Sequence, residues 1–243
     1  MKVFSEEVRT RVAEAPLQAK GFLAGASNHT LLCLLEDAEE DVFATVYKPR
    51  NGERPLWDFP TGTLCAREAA AFEVSALLGW DLVPPTVLRD GPLGPGSVQA
   101  FIPHDPEQHY FVLVEDEANH PALRTLAVFD LLVNNADRKG SHVIAADDGH
   151  LFAVDHGLTF HVEPKLRTVI WDLGDAVIPE VLRADLSRFA ERLTAREPDT
   201  AALRALLSDA EVEALTARAK ALSRRARLPY PPPHERPYPW PPL

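Results

Sequence analysis

The pattern of apolar and polar positions changes once along the chain. From Leu31 to about Val87 it reads as strands with one helix. The runs "TLLCLLED" and "DVFATVYKP" are strand-like and are separated by the acidic turn "DAEED", which makes them a hairpin. A period of two puts Val42, Ala44, Val46 and Lys48 on one face, so an apolar row ends in a single ammonium group. The loop "PRNGERPLWDFPTGTL" is dense in Pro and Gly, and "CAREAAAFEVSALLG" then reads as a helix closed by Gly79. "VPPTVLRDG" and "GSVQAFIP" add two more strands before His104 and Asp105 open a polar connection.

Beyond that connection helices dominate. "PALRTLAVFDLLVNNA" is apolar on most sides, as expected of a central helix, and it delivers Asn134, Asn135 and Asp137 at its C-terminal end. "PEVLRADLSRFAERL" and "SDAEVEALTARAKALSRRARL" are amphipathic, the second opening with a capping box of Ser208 and Glu211. The tail "LPYPPPHERPYPWPPL" holds eight of the 22 prolines and reads as extended chain, either disordered or laid along the surface by its aromatics. Three segments follow: a β-rich lobe over 1–103, a second lobe over 104–227, and the proline-rich tail over 228–243. The expected fold class is α+β, with a small β-rich N-terminal lobe carrying one helix and a mainly helical C-terminal lobe.

The charges that interrupt these apolar stretches are the candidate chemistry. Arg67, Glu68 and Glu73 stand on a helix otherwise covered by Ala and Leu, and buried carboxylates need partners. Glu68 shares a stripe with Ala71, Phe72, Ser75 and Leu78 and therefore points inward. Lys48 is the nearest upstream cation with an apolar setting, and spacing alone leaves Glu73 open beside Glu68 as its partner. Asp137 and Asp155 stand on either side of a strand-like hairpin. Taken singly, Asp155-His156-Gly157 reads as a turn, Asp137-Arg138-Lys139-Gly140 as a helix cap, and Lys48 as a surface lysine.

Composition narrows the function classes. The 243 residues carry a formal net charge of −11, which argues against a nucleic-acid partner. Cys33 and Cys65 lie among apolar residues and read as buried reduced thiols rather than a disulfide framework or a metal site. The N-terminal "MKVFSEEVRTRVAEAP" has charges every few residues and lacks the apolar core of a signal peptide, and no run reaches transmembrane length. The expected location is the cytoplasm.

The order of parts is a strand lysine, a helix glutamate, an aspartate loop and an Asp-x-Gly after a short hairpin. The stretches "VYKPRNGERPLWDFPTGTL", "REAAAF", "GWDLVPPTVLRDGPLGPGSVQ", "FDLLVNNADRKGSH" and "VDHGLTFH", between about Gly25 and Trp171, resemble the atypical kinases of the phosphatidylinositol 3-/4-kinase-like group. The resemblance is closest to a small actinobacterial family of that group, with the HipA-like kinases more distant. It implies a protein-kinase-like fold, ATP with Mg²⁺ or Mn²⁺ as cofactors, and a hydroxyl as phosphate acceptor. By the same resemblance Asp137, with Arg138 and Lys139 beside it, is the catalytic residue that orients the acceptor hydroxyl and takes its proton. Asp155 binds the metal, Lys48 holds the phosphates, and Glu68 is the partner of Lys48. "GASNHT" is the phosphate-covering turn, with Ser27, Asn28 and Thr30 as donors. Gln99, Phe101 and Ile102 belong to the adenine-contacting linker.

Two positions depart from the family pattern: Lys139 stands where the lipid kinases place histidine, and His142 where the second metal ligand is normally asparagine. A ligating His142 would favour Mn²⁺ over Mg²⁺, with metal affinity falling as pH drops through ~6.5, whereas a His142 that only braces the loop by hydrogen bonding would leave metal choice unchanged. Lys165 and Arg167 after Asp155 either meet an anionic headgroup or lie in a solvated loop, and Trp57 and Trp171 either line the cleft or simply pack. The acidic chain favours a protein or soluble small molecule as acceptor over a phosphoinositide. Two other readings stand beside a kinase: a nucleotide-binding pseudokinase acting through partners, with the tail as ligand or latch, and a metal-dependent phosphohydrolase built from Asp137, His142, Asp155 and His156. The phosphohydrolase gives Lys48 and Glu68 no role.

Overall fold

The computed structural model describes residues 3–23, 30–35, 43–233 and 236–243. The chain begins with α1 (Glu6–Glu14), capped by the Ser5 side chain on the Val8 amide, and β1 (Leu17–Phe22). Then come β2 (Leu31–Leu35), β3 (Ala44–Pro49), α2 (Leu64–Leu78), β4 (Thr86–Gly91) and β5 (Gly94–Ala100). The strands form one antiparallel sheet in the order β1-β2-β3-β5-β4, with Lys48 paired to Ser97. The expected hairpin is β2–β3, although Val42 and the acidic turn lie outside the described residues.

Both α1 and β1 go beyond the single-helix expectation for this lobe. Only Val8 and Val12 of α1 are buried, one turn apart, where they join Leu31, Cys33, Tyr47, Val98 and Ala100 in the core of the sheet. Charges crowd the rest of the helix and mask so narrow a stripe. In β1 only the first residue escapes full exposure, so the strand has no alternating pattern to detect. Helix α2 is different: eleven of its fifteen residues are buried, and Gly79 at φ 67° ends it in a left-handed cap that an L side chain would strain.

The second half contains α3 (Tyr110–Leu113), α4 (His120–Val133), the hairpin β6 (Val143–Ala145) with β7 (Leu151–Ala153), α5 (Glu180–Ala195), α6 (Ala201–Leu206) and α7 (Asp209–Ser223). Its core is continuous with the buried face of α2, which binds the two lobes together. Arg67 of α2 reinforces this bond. It is buried, its guanidinium pairs with Glu211 of α7 and donates to the Thr159 carbonyl, and it lies 5.1 Å from the centre of the Phe59 ring. The whole is α+β, with a small antiparallel sheet in the N-terminal part and helices in the C-terminal part.

The tail follows the surface. The Pro237 carbonyl accepts from the Thr168 amide at 3.0 Å and from Trp171 Nε1 at 3.0 Å, and the Pro242 carbonyl accepts from the Gly140 amide at 2.8 Å. Trp171 is therefore packed beneath the tail and does not line the cleft. Cys33 and Cys65 are both buried and unpaired.

Candidate active site

Strand β3 brings Lys48 to the mouth between the lobes. Its Nζ meets Glu68 of α2 and, at 2.9 Å, Oδ1 of Asp155. Glu68 is buried, and its second oxygen accepts the His156 amide at 2.9 Å, so this one carboxylate joins the N-terminal sheet, α2 and the segment after β7. Burial alone would lower the Lys48 pKa, but the Asp155 and Glu68 charges outweigh it and hold the ammonium above its ordinary value. Glu68 is pushed up by burial against the pull of Lys48. Desolvation in the cleft pushes the half-exposed Asp155 carboxyl up, but Lys48 and His142 outweigh it and hold it well below the usual carboxylate range. Its backbone sits at φ 60°, a left-handed conformation rare for a non-glycine residue, of the kind that clusters at functional sites.

Asp137 sits in the loop after α4. Asn134 ends that helix at φ 56°, and its side chain holds the His161 and Glu163 carbonyls and the Lys165 amide. Asn135 Oδ1 accepts the Asp137 amide at 3.0 Å, which fixes the loop's turn. The Asp137 carboxylate lies 3.5 Å from Lys139 Nζ. Burial raises its pKa, Lys139 opposes the shift, and Asp155 adds to it.

Arg138 lies behind the loop, fully buried. It donates to Asp130 through Nε and Nη2, to the Val154 carbonyl at 2.7 Å, and to His156 Nε2 at 2.6 Å. It cannot touch an acceptor in the cleft, so the expectation of a catalytic contact for Arg138 is corrected to a positioning one. Asp130 also accepts from Asn135 Nδ2 and Thr168 Oγ1, making it the hub of the polar cluster under the loop. Sequence reasoning missed Asp130. The signal was a lone carboxylate in the apolar run "LAVFDLLV", where burial demands a partner.

Two cavities meet at Lys48 and Asp155. The first, about 330 Å³, is lined by apolar Leu23 and Val46 of the N-terminal lobe and by Ile144 and Val154 of the C-terminal lobe, together with Thr30, Gln99, Phe101 and Ile102. Gln99 Nε2 donates to Thr86 Oγ1 at 2.8 Å, so its amide is already held. Ser27 and Asn28 lie outside the described residues. The second cavity, about 210 Å³, lies toward α2 and is lined by Asp137, Leu56, Leu64, Gly157 and Leu158.

His142 Nε2 is 3.3 Å from Asp155 Oδ2, while its Nδ1 faces the Lys139 amide at 3.5 Å. Burial lowers its pKa to about 4, with Asp155 opposing the shift. An Nδ1 that accepts the Lys139 N–H leaves the ring proton on Nε2, aimed at Asp155. His156, buried and donated to by Arg138, is held neutral as well, first by burial and then by the Arg138 charge. Folded His142 stays neutral down to about pH 4, whereas the unfolded residue takes a proton near ~6.5. Between those values the unfolded chain binds more protons, so stability falls as pH drops. A thermal melt in chelator should therefore lose midpoint steadily from pH 6.5 to 4, and His142→Asn should flatten that slope.

No protein-family model matches the chain. Over 263 aligned positions it is 39% identical to Protein Rv2133c of Mycobacterium tuberculosis, the alignment covering 95% of this chain and 93% of that protein. The chain belongs to the family of Rv2133c. Among solved structures this family member resembles the Helicobacter pylori proinflammatory kinase CtkA, at 10% identity and a TM-score of 0.51 over 88% of this chain and 94% of that one. It also resembles the Golgi casein kinase with Mn/ADP bound, at 13% identity and 0.56 over 90% and 74%. For hydra Fam20 with sugar the values are 15% and 0.55 over 90% and 88%. At such identities the likeness is one of fold, and the fold of this Rv2133c relative is kinase-like.

Proposed function

We propose that this Rv2133c-family protein is an ATP-dependent phosphotransferase that moves the γ-phosphoryl group to a hydroxyl. The observation that carries this reading is the position of Lys48, held between Glu68 and Asp155 on the boundary of two cavities, only one of which Asp137 lines. The 330 Å³ cavity suits an adenine ring, with apolar side chains from both lobes and the 101–102 linker along its edge. Lys48 then faces the phosphates, and Lys139 beside Asp137 steadies the group in flight. Asp137, whose pKa burial raises, orients the acceptor hydroxyl and receives its proton. Activity, the phosphate acceptor and a cytoplasmic location all belong to this proposal.

The half-exposed Asp155 carboxylate is the group that would hold a divalent cation. Among the described residues no three His, Cys, Asp or Glu side chains converge on a closed metal site. Such a sparse donor set suits Mg²⁺ or Mn²⁺ sharing the nucleotide's oxygens, and it speaks against the phosphohydrolase reading. When bound, the cation neutralises charge on the phosphates. We assign His142 as a brace that donates Nε2–H to Asp155, in place of the ligand expected from sequence, because ligation would move the ring proton to Nδ1, against the Lys139 amide. The ratio of Mn²⁺- to Mg²⁺-supported activity in His142→Asn should match the wild type. A shift toward Mg²⁺ would restore the ligand role.

Within the kinase-like fold, the order of motifs relates the protein to the phosphatidylinositol 3-/4-kinase-like group, yet a soluble acceptor is the better reading. Lys165, a candidate for an anionic headgroup, is already bound to Asp58 at 3.0 Å, and among the described residues no helix is long and apolar enough to cross a membrane. Calorimetry with ATP and Mg²⁺ or Mn²⁺, followed by transfer assays with labelled ATP, tests the proposal. Lys48→Ala should lower ATP-dependent turnover by about 10²-fold or more, with the far-ultraviolet circular dichroism unchanged. A wild-type protein that binds ATP but never turns it over would instead be a pseudokinase.

A further inference from the structure

One guanidinium grips Asp155 through both of its neighbours. Arg138 Nη1 donates to the carbonyl of Val154 at 2.7 Å, and Nη2 donates to the ring of His156 at 2.6 Å. An arginine can only donate, so His156 Nε2 is the acceptor and the proton of the neutral ring stands on Nδ1. Among the described residues nothing accepts from that buried Nδ1. An unpaired buried donor is costly, and a phenyl ring would avoid it while keeping the edge-on packing against Phe129 of α4, at 5.7 Å. What the imidazole supplies and a hydrocarbon ring cannot is an acceptor for Arg138. The main chain of His156 is held as well, its amide donating to Glu68 at 2.9 Å and its carbonyl accepting from Thr159 Oγ1 at 2.7 Å.

We propose that His156 is a positioning residue for phosphoryl transfer, fastening the segment that bears Asp155 to the loop that bears Asp137. This rests on the phosphotransferase reading. The connection runs bond by bond. From the His156 ring it passes through Arg138 to Asp130, from Asp130 to Asn135 Nδ2 at 3.1 Å, and from Asn135 Oδ1 to the Asp137 amide at 3.0 Å. On the other side it passes through the His156 amide to Glu68 and so to Lys48. The ring is fully buried, so it acts through Arg138 and touches no reacting atom. Its effect is to hold the groups around Lys48 and Asp155 in one register with Asp137. Transfer is sensitive to such placement, because a displacement of about 1 Å can cost about 10²-fold in rate. Nucleotide affinity depends on it less, since Lys48, Glu68 and Asp155 keep their charges without the ring.

The test replaces His156 in the intact protein with residues of different reach. Glutamine sets its amide oxygen near the place of Nε2, asparagine stops near Nδ1, and phenylalanine has no acceptor at all. Turnover is followed with γ-labelled ATP and Mg²⁺ or Mn²⁺, as inorganic phosphate released and as label on the protein itself, and ATP affinity by calorimetry. His156→Phe should melt within ~4 °C of wild type, bind ATP within about threefold, and lose about tenfold or more in kcat. His156→Gln should recover kcat to within about threefold of wild type, while His156→Asn stays as low as the phenylalanine variant. Full kcat with phenylalanine, or equal kcat with glutamine and asparagine, would show that the ring only fills space and would overturn the inference with the phosphotransferase intact. The glutamine and asparagine comparison decides even if His156→Phe fails to fold. A wild type that binds no ATP, or binds it without transfer, would defeat the phosphotransferase reading and the inference with it.

Discussion

Asp137→Asn should keep its affinity for ATP within about threefold of wild type and lose about 10²–10⁴-fold in transfer, whereas Asp155→Asn should lose the nucleotide itself. The two carboxylates stand in different electrostatic company. Asp155 contacts Lys48 and His142, and its carboxyl is held ionised far below the usual range, so a cation and the phosphates it accompanies find a fixed negative charge there. Asparagine removes that charge and leaves Lys48 with Glu68 alone. Asp137 lies apart from this group, beside Lys139, and lines only the smaller cavity. Its raised pKa makes it a better proton acceptor than a solvated aspartate would be. Calorimetry with ATP and metal gives the affinities, and single-turnover transfer gives the rates. Equal loss of affinity in both variants would reject the division of labour.

The meeting of Lys48 and Glu68 was legible because each sits on an otherwise apolar stripe, where an unpartnered charge is costly. The β6–β7 hairpin between the aspartates was legible as an apolar run between turns. What stayed hidden depends on distance along the chain. Nothing local in "PLWDFP" announces that Asp58 meets Lys165, 107 positions away, or that Trp57 stands 91% exposed with an ammonium over its ring instead of facing the cleft. Arg138 misled for a related reason. A cation next to a candidate catalytic aspartate reads as a site residue, yet its side chain turns away from the cleft toward Asp130, and only the fold reveals that. His142 could be placed by motif, but its tautomer depends on the Lys139 amide, a contact that exists only once the loop has closed.

Asp130→Ala should cost about 3–5 kcal/mol of stability, the range expected when one partner of a buried ion pair is removed. Asp130 and Arg138 are both essentially excluded from solvent, so the carboxylate is the counter-charge of a guanidinium with no route to water. Removing it also strips a partner from Asn135 Nδ2 and Thr168 Oγ1. Against the ~5–15 kcal/mol by which domains are usually stable, that is a substantial share. Asp130→Asn keeps the shape and some of the hydrogen bonds but not the charge, and should fall between alanine and wild type. The Arg138→Met, Asp130→Leu double variant, which removes both charges and restores volume, should recover much of the loss, since a buried pair is dear to break but cheap to replace. Urea unfolding of the four proteins measures this directly. Activity reports separately: Asn135 carries the coupling from Asp130 to the Asp137 amide, so the double variant should refold with its catalytic loop loosened and its turnover still impaired. A double variant with both stability and turnover restored would show that the cluster serves packing alone.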